Sequence, residues 1–325
     1  MITGLLTLPV IMRINIIRMK KEENIPYKFD SLTDVHRAFG LPNPLHPLIS
    51  LIDNTKTQVE ATKLPHAHVL TFYKIAVKAK FSGKLRYGQD YYDFDEGGLL
   101  FAAPNQIIGN NHDNLTGDCS LFTLLIHPDF LLNYPLAKKI RQYGFFSYSA
   151  NEALHLSDQE KRVIMSIFNI MRDELSSRID EFSQDVMISQ IELLLNYANR
   201  FYKRQFITRK ASNNNLLQQL EEILDNYFDQ DRSGNEGIPT VQFLSENLNM
   251  SPSYLSDMLR SLTGQNAQQH IHQKLIEKAK EKLSTTNLTV GEVAYELGFE
   301  HPQSFSKLFK IKTNLSPLEF RKSFN

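Results

Sequence analysis

Val241-Gln-Phe-Leu-Ser-Glu-Asn-Leu-Asn-Met-Ser-Pro-Ser-Tyr-Leu-Ser-Asp-Met-Leu-Arg260 is followed about fifty residues later by Val290-Gly-Glu-Val-Ala-Tyr-Glu-Leu-Gly-Phe-Glu-His-Pro-Gln-Ser-Phe-Ser-Lys-Leu-Phe-Lys310. In the first copy Val241, Leu244 and Leu248 recur at helical spacing and give one apolar stripe. Asn249-Met250 breaks the pattern. Ser251 then supplies an N-cap, and Pro252 sits where its fixed φ suits the first helical turn. Leu255, Met258, Leu259 and Leu262 face back on the first helix, and Gly264 stops the second. In the second copy Val290, Val293, Ala294 and Leu297 form the stripe, Gly298 takes the turn, and Pro302 opens a helix that packs Phe305, Leu308 and Phe309 inward. Each copy is a helix-turn-helix, and Leu255 and Phe305 hold corresponding places.

Between the copies, Asn266 caps a connecting helix in which Ile271, Leu275, Ala279 and Leu283 recur every fourth residue. A rigid connection of this kind fixes the spacing of the two second helices. Further residues complete a pattern: Met250-Ser-Pro-Ser-Tyr-Leu-Ser256, Leu262-Thr-Gly264, Gly298-Phe299, Ser304-Phe-Ser306, Leu308-Phe-Lys310, Ser316-Pro317 and Phe320-Arg321. Over about 85 residues this resembles the DNA-binding domain of the AraC/XylS family of bacterial transcription regulators. Three positions depart from the family pattern: Asp257 where Arg is frequent, Lys274-Leu275 in place of Arg-Leu, and Asn314 in place of Gly. The first bears on which bases are read.

The resemblance implies two recognition helices entering successive major grooves of double-stranded DNA, about 34 Å apart. By motif position the base-contact candidates are Ser253, Ser256 and Asp257 in the first helix and Gln303, Ser306 and Lys307 in the second. Gln suits adenine, Lys guanine and Asp cytosine. Ser251, Arg260 and Lys310 are the candidates for phosphate contact. It also implies a homodimer, a small-molecule effector and RNA polymerase as further partners. Charge runs against the usual basic footprint: residues 216–325 hold 11 Lys and Arg against 14 Asp and Glu. From Pro239 onward the count is 10 against 8, so the excess of acid lies in Glu221–Glu236, away from the expected surface. Weak non-specific affinity and a dependence on dimerisation follow.

Working back from there, Leu216 to Phe228 reads as the first helix of the C-terminal domain and Asp229–Gly237 as a loop. Residues 206–215, basic and then polar without periodicity, read as a linker. Two long amphipathic helices precede it within 156–205. One opens with the capping box Ser157/Glu160 and carries Val163, Ile164, Ile167, Ile170, Met171 and Leu175; the other carries Val186, Ile188, Ile191, Leu194, Leu195 and Ala198. They cover a strand domain and, on the family precedent, pair subunits.

Residues 19–155 read as that strand domain. His46–Asp53, residues 69–80, Lys84–Tyr92, Gly98–Ala103 and Ser120–Ile126 are strand candidates, with turns at Ser82-Gly83, Glu96-Gly-Gly98, Pro104-Asn105 and Thr116-Gly117. A short helix and an irregular piece follow over Asp129–Tyr143. Glu96-Gly-Gly-Leu-Leu-Phe-Ala-Ala-Pro104 is similar to a strand pair of cupin-like sensor domains. The expected fold class is α+β multidomain: a cupin-like β-barrel or sandwich with two long helices, then the all-α domain of residues 216–325. Residues 1–18 are apolar but interrupted by Arg13 and Arg18, shorter than the roughly 20 residues of a spanning helix and without a cleavage signal; they read as a tail outside the fold, with no membrane contact.

The whole chain has 325 residues, zero net formal charge and one cysteine, Cys119, which fits a reducing cytoplasm and excludes an internal disulfide framework. His66-Ala-His68 invites a cupin metal site, but Phe72 and Tyr73 stand where that motif needs Glu; His112 and His127 lack partners at metal spacing. Asp93 and Asp95 read as a turn. There is no Gly-rich phosphate loop and no Gly-x-Ser-x-Gly. No catalytic residue, cofactor or metal site is expected, and no ligand-binding residue is assigned. Two other readings stay open beside a ligand-sensing regulator: a ligand-independent dimeric DNA-binding regulator, and a cupin enzyme with a degenerate DNA-binding domain.

Overall fold

The computed structural model describes residues 26–55, 67–78, 85–87, 90–92, 97–109, 120–149, 152–177, 180–208, 210–230 and 232–323. The expected tail, His66, His112, Cys119, Asp93 and Asp95, and the turns at Ser82-Gly83 and Thr116-Gly117 lie outside these residues.

The N-terminal half is built on strands. Among the described residues these are β1 (Tyr27–Phe29), β2 (Ile49–Asp53), β3 (Ala67–Leu70), β4 (Tyr73–Lys78), β5 (Leu85–Tyr87), β6 (Asp90–Tyr92), β7 (Gly98–Ala102), β8 (Ile107–Gly109), β9 (Ser120–Ile126) and β10 (Leu154–His155). A helix, α1 (Leu32–Ala38), follows β1, capped by Ser31. Five strands form an antiparallel sheet in the order β10-β7-β4-β9-β2; three form a smaller one, β1-β3-β8, in which β1 and β3 run parallel; β5 and β6 make a hairpin. The expected strands at His46–Asp53, Gly98–Ala103 and Ser120–Ile126 are present as β2, β7 and β9; the expected strand 69–80 divides into β3 and β4 in different sheets, Lys84–Tyr92 divides into the hairpin β5-β6, and the described residues form no closed barrel.

Side-chain alternation in the large sheet explains its two faces. Ile75, Leu124 and Phe101 lie side by side in register and face the helices, whereas Leu125 and Ile52 join Phe29, Leu32, Val35 and Leu70 on the side of the small sheet. After β9 the chain runs through short 3-10 turns and α2 (Leu136–Lys139) into a 3-10 turn at Gly144–Ser147. Two long helices then cover the sheet: α3 (Asp158–Ser176), opened by the Ser157/Glu160 capping box, and α4 (Ser183–Thr208). Arg204 on α4 grips Glu160 on α3 at 2.6 Å.

The C-terminal half is helical: α5 (Lys210–Asp229), α6 (Arg232–Glu236), α7 (Val241–Asn247), α8 (Pro252–Thr263), α9 (Ala267–Thr285), α10 (Val290–Glu296), α11 (Pro302–Thr313) and α12 (Pro317–Lys322). Two expectations change here. Of the expected linker 206–215, residues 206–208 end α4 and 210–215 form the first turns of α5, since a segment without an apolar stripe can still be helical. The expected loop 229–237 contains α6, supported by an Arg232–Glu236 pair at 2.8 Å and ended by Gly237 at φ 84°.

Candidate nucleic-acid interface

Both helix-turn-helix units form, and their local chemistry is the expected one. Ser251 caps α8, its hydroxyl accepting from the Tyr254 amide; Gly264 closes the helix in the left-handed region at φ 78°. Thr289 and Glu292 make a capping box at α10, Asn266 and Gln269 one at α9, and Ser316 and Glu319 one at α12. Gly298 turns between α10 and α11 at φ 88°. A Cβ there would lie 2.5 Å from the Gly237 carbonyl carbon, so the turn needs glycine for space as well as for φ. Asn249 takes the equivalent left-handed place in the first turn at φ 53°. Asn314, standing where the family has Gly, is left-handed too at φ 61°, which Asn tolerates better than most residues.

On α11, Phe305 and Phe309 are fully buried against Val293, Ala294 and Leu297. The helical period then turns Gln303, Lys307 and Lys310 outward; all three are exposed, and Ser306 is half-buried beside them. His301 precedes Pro302 without a side-chain cap bond, and Glu300, His301, Gln303 and Ser304 around the start of this helix are exposed. The exposed row combines one amide and two ammonium groups over about two turns, a donor set suited to base edges and phosphate.

On α8 the same positions have a different environment. Leu255, Met258 and Leu259 are buried, as the pattern requires, but Tyr254 is buried as well, at 1% exposure. It packs edge-on against Tyr148 and Phe206 of the N-terminal half, with ring centroids 5.1 Å away in each case. Its counterpart in the second copy, Ser304, is exposed. Ser251 is buried; its amide and hydroxyl donate to the two oxygens of Glu152 at 2.6 and 2.5 Å. Asp257 accepts from the Tyr148 hydroxyl and from Arg260, each at 2.8 Å. Ser253 and Ser256 are half-buried, and Arg260 is exposed. The structure therefore groups Gln303, Lys307 and Lys310 on an open face, and sets Ser251 and Asp257 against the N-terminal half.

Glu152 and Tyr148 escaped the sequence reading, since nothing local marks them. Burial pushes the Glu152 carboxyl up, and hydrogen bonds from Ser251 and Ser149 draw it back. Burial, reinforced by Asp257, also pushes the Tyr148 phenol up, so it stays a donor. One signal was available: an aromatic residue at 254 opposite a serine at 304 in an otherwise parallel motif. Among the described residues no His, Cys, Asp and Glu group is placed to hold a metal ion, and no helix is long and apolar enough to cross a membrane.

Residues 244–323 match a helix-turn-helix domain family. Over 83 residues the chain is 36% identical to the HTH-type transcriptional regulator YisR of Bacillus subtilis, covering 26% of this chain and 29% of that protein. Over 84 residues it is 34% identical to the raffinose operon transcriptional regulatory protein RafR of Pediococcus pentosaceus, covering 26% and 30%. The matched stretch is thus less than a third of either relative. Among solved structures, the C-terminal domain of the two-component response regulator yesN from Fusobacterium nucleatum is 32% identical, covering 33% of this chain and 98% of that one with a TM-score of 0.29. The DNA-binding domain of AdpA in complex with a target DNA is 25% identical, covering 32% and 91% with a TM-score of 0.28.

Proposed function

The C-terminal domain of this chain belongs to the AraC family of helix-turn-helix transcription regulators, and from that premise we propose that the whole chain is a sequence-specific transcription regulator acting on promoter DNA. The observation that carries the reading is α11: two buried phenylalanines on one side, and Gln303, Lys307 and Lys310 exposed on the other. In this assignment Gln303, Ser306 and Lys307 read bases, Lys310 and Arg260 meet phosphates, and Ser253, Ser256 and Asp257 read a second groove from α8.

The N-terminal half is, in the same proposal, a cupin-like sensor domain. Its support is the pair of facing sheets and a cavity of about 20 Å³ between them, lined in part by Asn54, His68, Lys74 and Thr123. Space of that size holds about one water, so an effector would have to enlarge it. The long helices α3 and α4 serve as the dimerisation pair, with Ile170, Val186 and Leu193 as exposed apolar positions.

Lys307 and Lys310 carry equal charge, so only docking geometry distinguishes them. Lys307→Ala is expected to weaken specific binding by about 1–3 kcal/mol and to relax preference at one or two base pairs. Lys310→Ala is expected to weaken specific and scrambled duplexes alike and to lower the salt slope by about one unit. Titrations at several salt concentrations, on duplexes selected from a random pool, measure both. Unchanged affinity in both folded variants refutes α11 as a reading helix.

A further inference from the structure

We propose that Glu152 is an internal stand-in for a DNA phosphate: its carboxylate occupies the N-terminus of α8, so the closed chain offers only α11 to DNA and engages a second groove once Glu152 and Tyr148 let α8 go. This rests on the DNA-binding reading above and assigns its regulation.

Three independent placements carry it. The first is the anion. A recognition helix meets a backbone phosphate with its N-terminal amides, where the helix dipole favours negative charge. At α8 that position is already filled. Glu152, 2% exposed, takes the Ser251 amide on one oxygen, and the Ser251 hydroxyl and Ser149 amide (2.7 Å) on the other. The N-terminal half holds it there from behind: the Tyr202 hydroxyl donates to the Glu152 carbonyl at 3.2 Å, and buried Gln205 accepts from the His155 amide at 2.9 Å. Among the described residues, no carboxylate bonds the corresponding start of α11.

The second placement is steric. The 3-10 turn at Gly144–Ser147 lies across α8 so closely that a Cβ on Gly144 would sit 2.1 Å from Asp257 Oδ2. Protein backbone thus fills the space in front of Asp257 that DNA would have to enter. Lys307, at the same place in the second copy, is exposed. The third is Tyr254, whose ring is closed in by Tyr148 and Phe206 where Ser304 faces solvent.

The energetics suit a switch rather than a permanent joint. Glu152 is a carboxylate removed from water and held by neutral donors, a costly arrangement that its release reverses. A phosphate arriving at the same amides replaces the hydrogen bonds that Glu152 gives up. If the open form is a minor fraction, apparent affinity for a two-groove site falls by that fraction, and weakening the latch restores it.

The full-length chain tests this with duplexes selected from a random pool. Glu152→Gln, and separately Tyr148→Phe, which keeps the ring packing, are expected to tighten binding to a two-groove duplex, by about tenfold for the first, and to speed amide exchange at the start of α8. A Gly144→Cys/Asp257→Cys double variant supplies the converse. Asp257 Cγ, where a cysteine sulfur would lie, is 3.3 Å from the Cβ position of residue 144, close to the ~3 Å that a disulfide sets. Because both redox forms lack Asp257 alike, they are compared only with each other: oxidised, this variant should bind the two-groove duplex more weakly, and protect less of its second groove in a footprint, than when reduced. Binding as tight when oxidised as when reduced overturns the proposal. So does unchanged or weaker binding by Glu152→Gln and Tyr148→Phe at unchanged melting temperature. Sensitivity to Lys307→Ala separates the two levels: binding that depends on Lys307 in the wild type, with no difference between the oxidised and reduced double variant, overturns the latch alone. Wild type that binds no duplex overturns the DNA reading and the latch with it.

Discussion

Single residues decide the sharpest turns of the C-terminal domain. Gly298 is left-handed and packed against the backbone of Gly237, itself left-handed at φ 84°. Gly298→Ala is therefore expected to destabilise the second helix-turn-helix by about 2–3 kcal/mol, more than the conformational term alone, as a shift in the urea midpoint would show. Asn314 illustrates the milder case: its φ of 61° is open to Asn, so the departure from Gly leaves the end of α11 intact. Charge at single residues gives a pH test. Hydrogen bonds from Ser316 hold the Glu319 carboxyl below its ordinary value, as those from Thr289 hold Glu292. Their stabilisation is fully present above the ordinary carboxylate range and is lost as pH falls through the lowered folded values. Glu319→Gln, which can still cap α12 but carries no charge, should remove part of the acid dependence of unfolding below the ordinary carboxylate range and slightly lower neutral stability. An unchanged acid limb in a denaturation series would contradict that origin.

At the scale of elements, α3 and α4 illustrate how pattern becomes placement. Their stripes bury Ile164, Ile167, Met171, Ile191, Leu194 and Leu195 on the sheet, which the periodicity foretold. Val186 and Leu193, two turns apart on α4, stay exposed, with Ile170 on α3. Single exposed apolar residues are ordinary on a surface helix, so whether these three form a contact is a matter for experiment. If the proposed dimer uses this face, Leu193→Glu should leave the melting temperature within a few degrees and lower the sedimentation coefficient toward that of a monomer. It should also reduce affinity for paired sites far more than for single ones. An unshifted sedimentation coefficient would remove these helices from the dimer contact.

The whole molecule divides its cores at an unexpected place. One apolar cluster runs from the large sheet through α3 and α4 into α8, ending at Ala267 and Ile271. A second holds Leu275, Leu283, Val293, Phe305 and Phe309. The border falls within α9, so the first helix-turn-helix shares its core with the N-terminal half and the second has its own. Phe309→Ala should cost about 3–5 kcal/mol. Its effect should appear in calorimetry as an earlier transition for the second unit alone, with the main transition in place. A single transition shifted as a whole would show that α9 couples the two cores rigidly.

Much of this was legible in the amino-acid order because it is written over short distances. The caps read at Ser157, Ser251 and Asn266 bind amides three residues on, Thr289 and Ser316 follow the same local rule although they were not read as caps, and the strand β9 occupies the expected residues 120–126. The repeat of the helix-turn-helix made the C-terminal domain readable twice over. What required the folded chain is non-local. The parallel pairing of β1 with β3 leaves no signature in either strand. Residues 210–215 carry no periodic apolar stripe, the signal by which a helix is read, so the start of α5 was not legible. Above all, Glu152 meets Ser251 across 99 residues and Tyr148 meets Asp257 across 109. Caps and stripes select which helices form, through bonds and contacts within one or two turns. Which face of α8 remains open was decided only when two distant surfaces met, and that depends on shape and desolvation across the whole chain rather than on any local spacing.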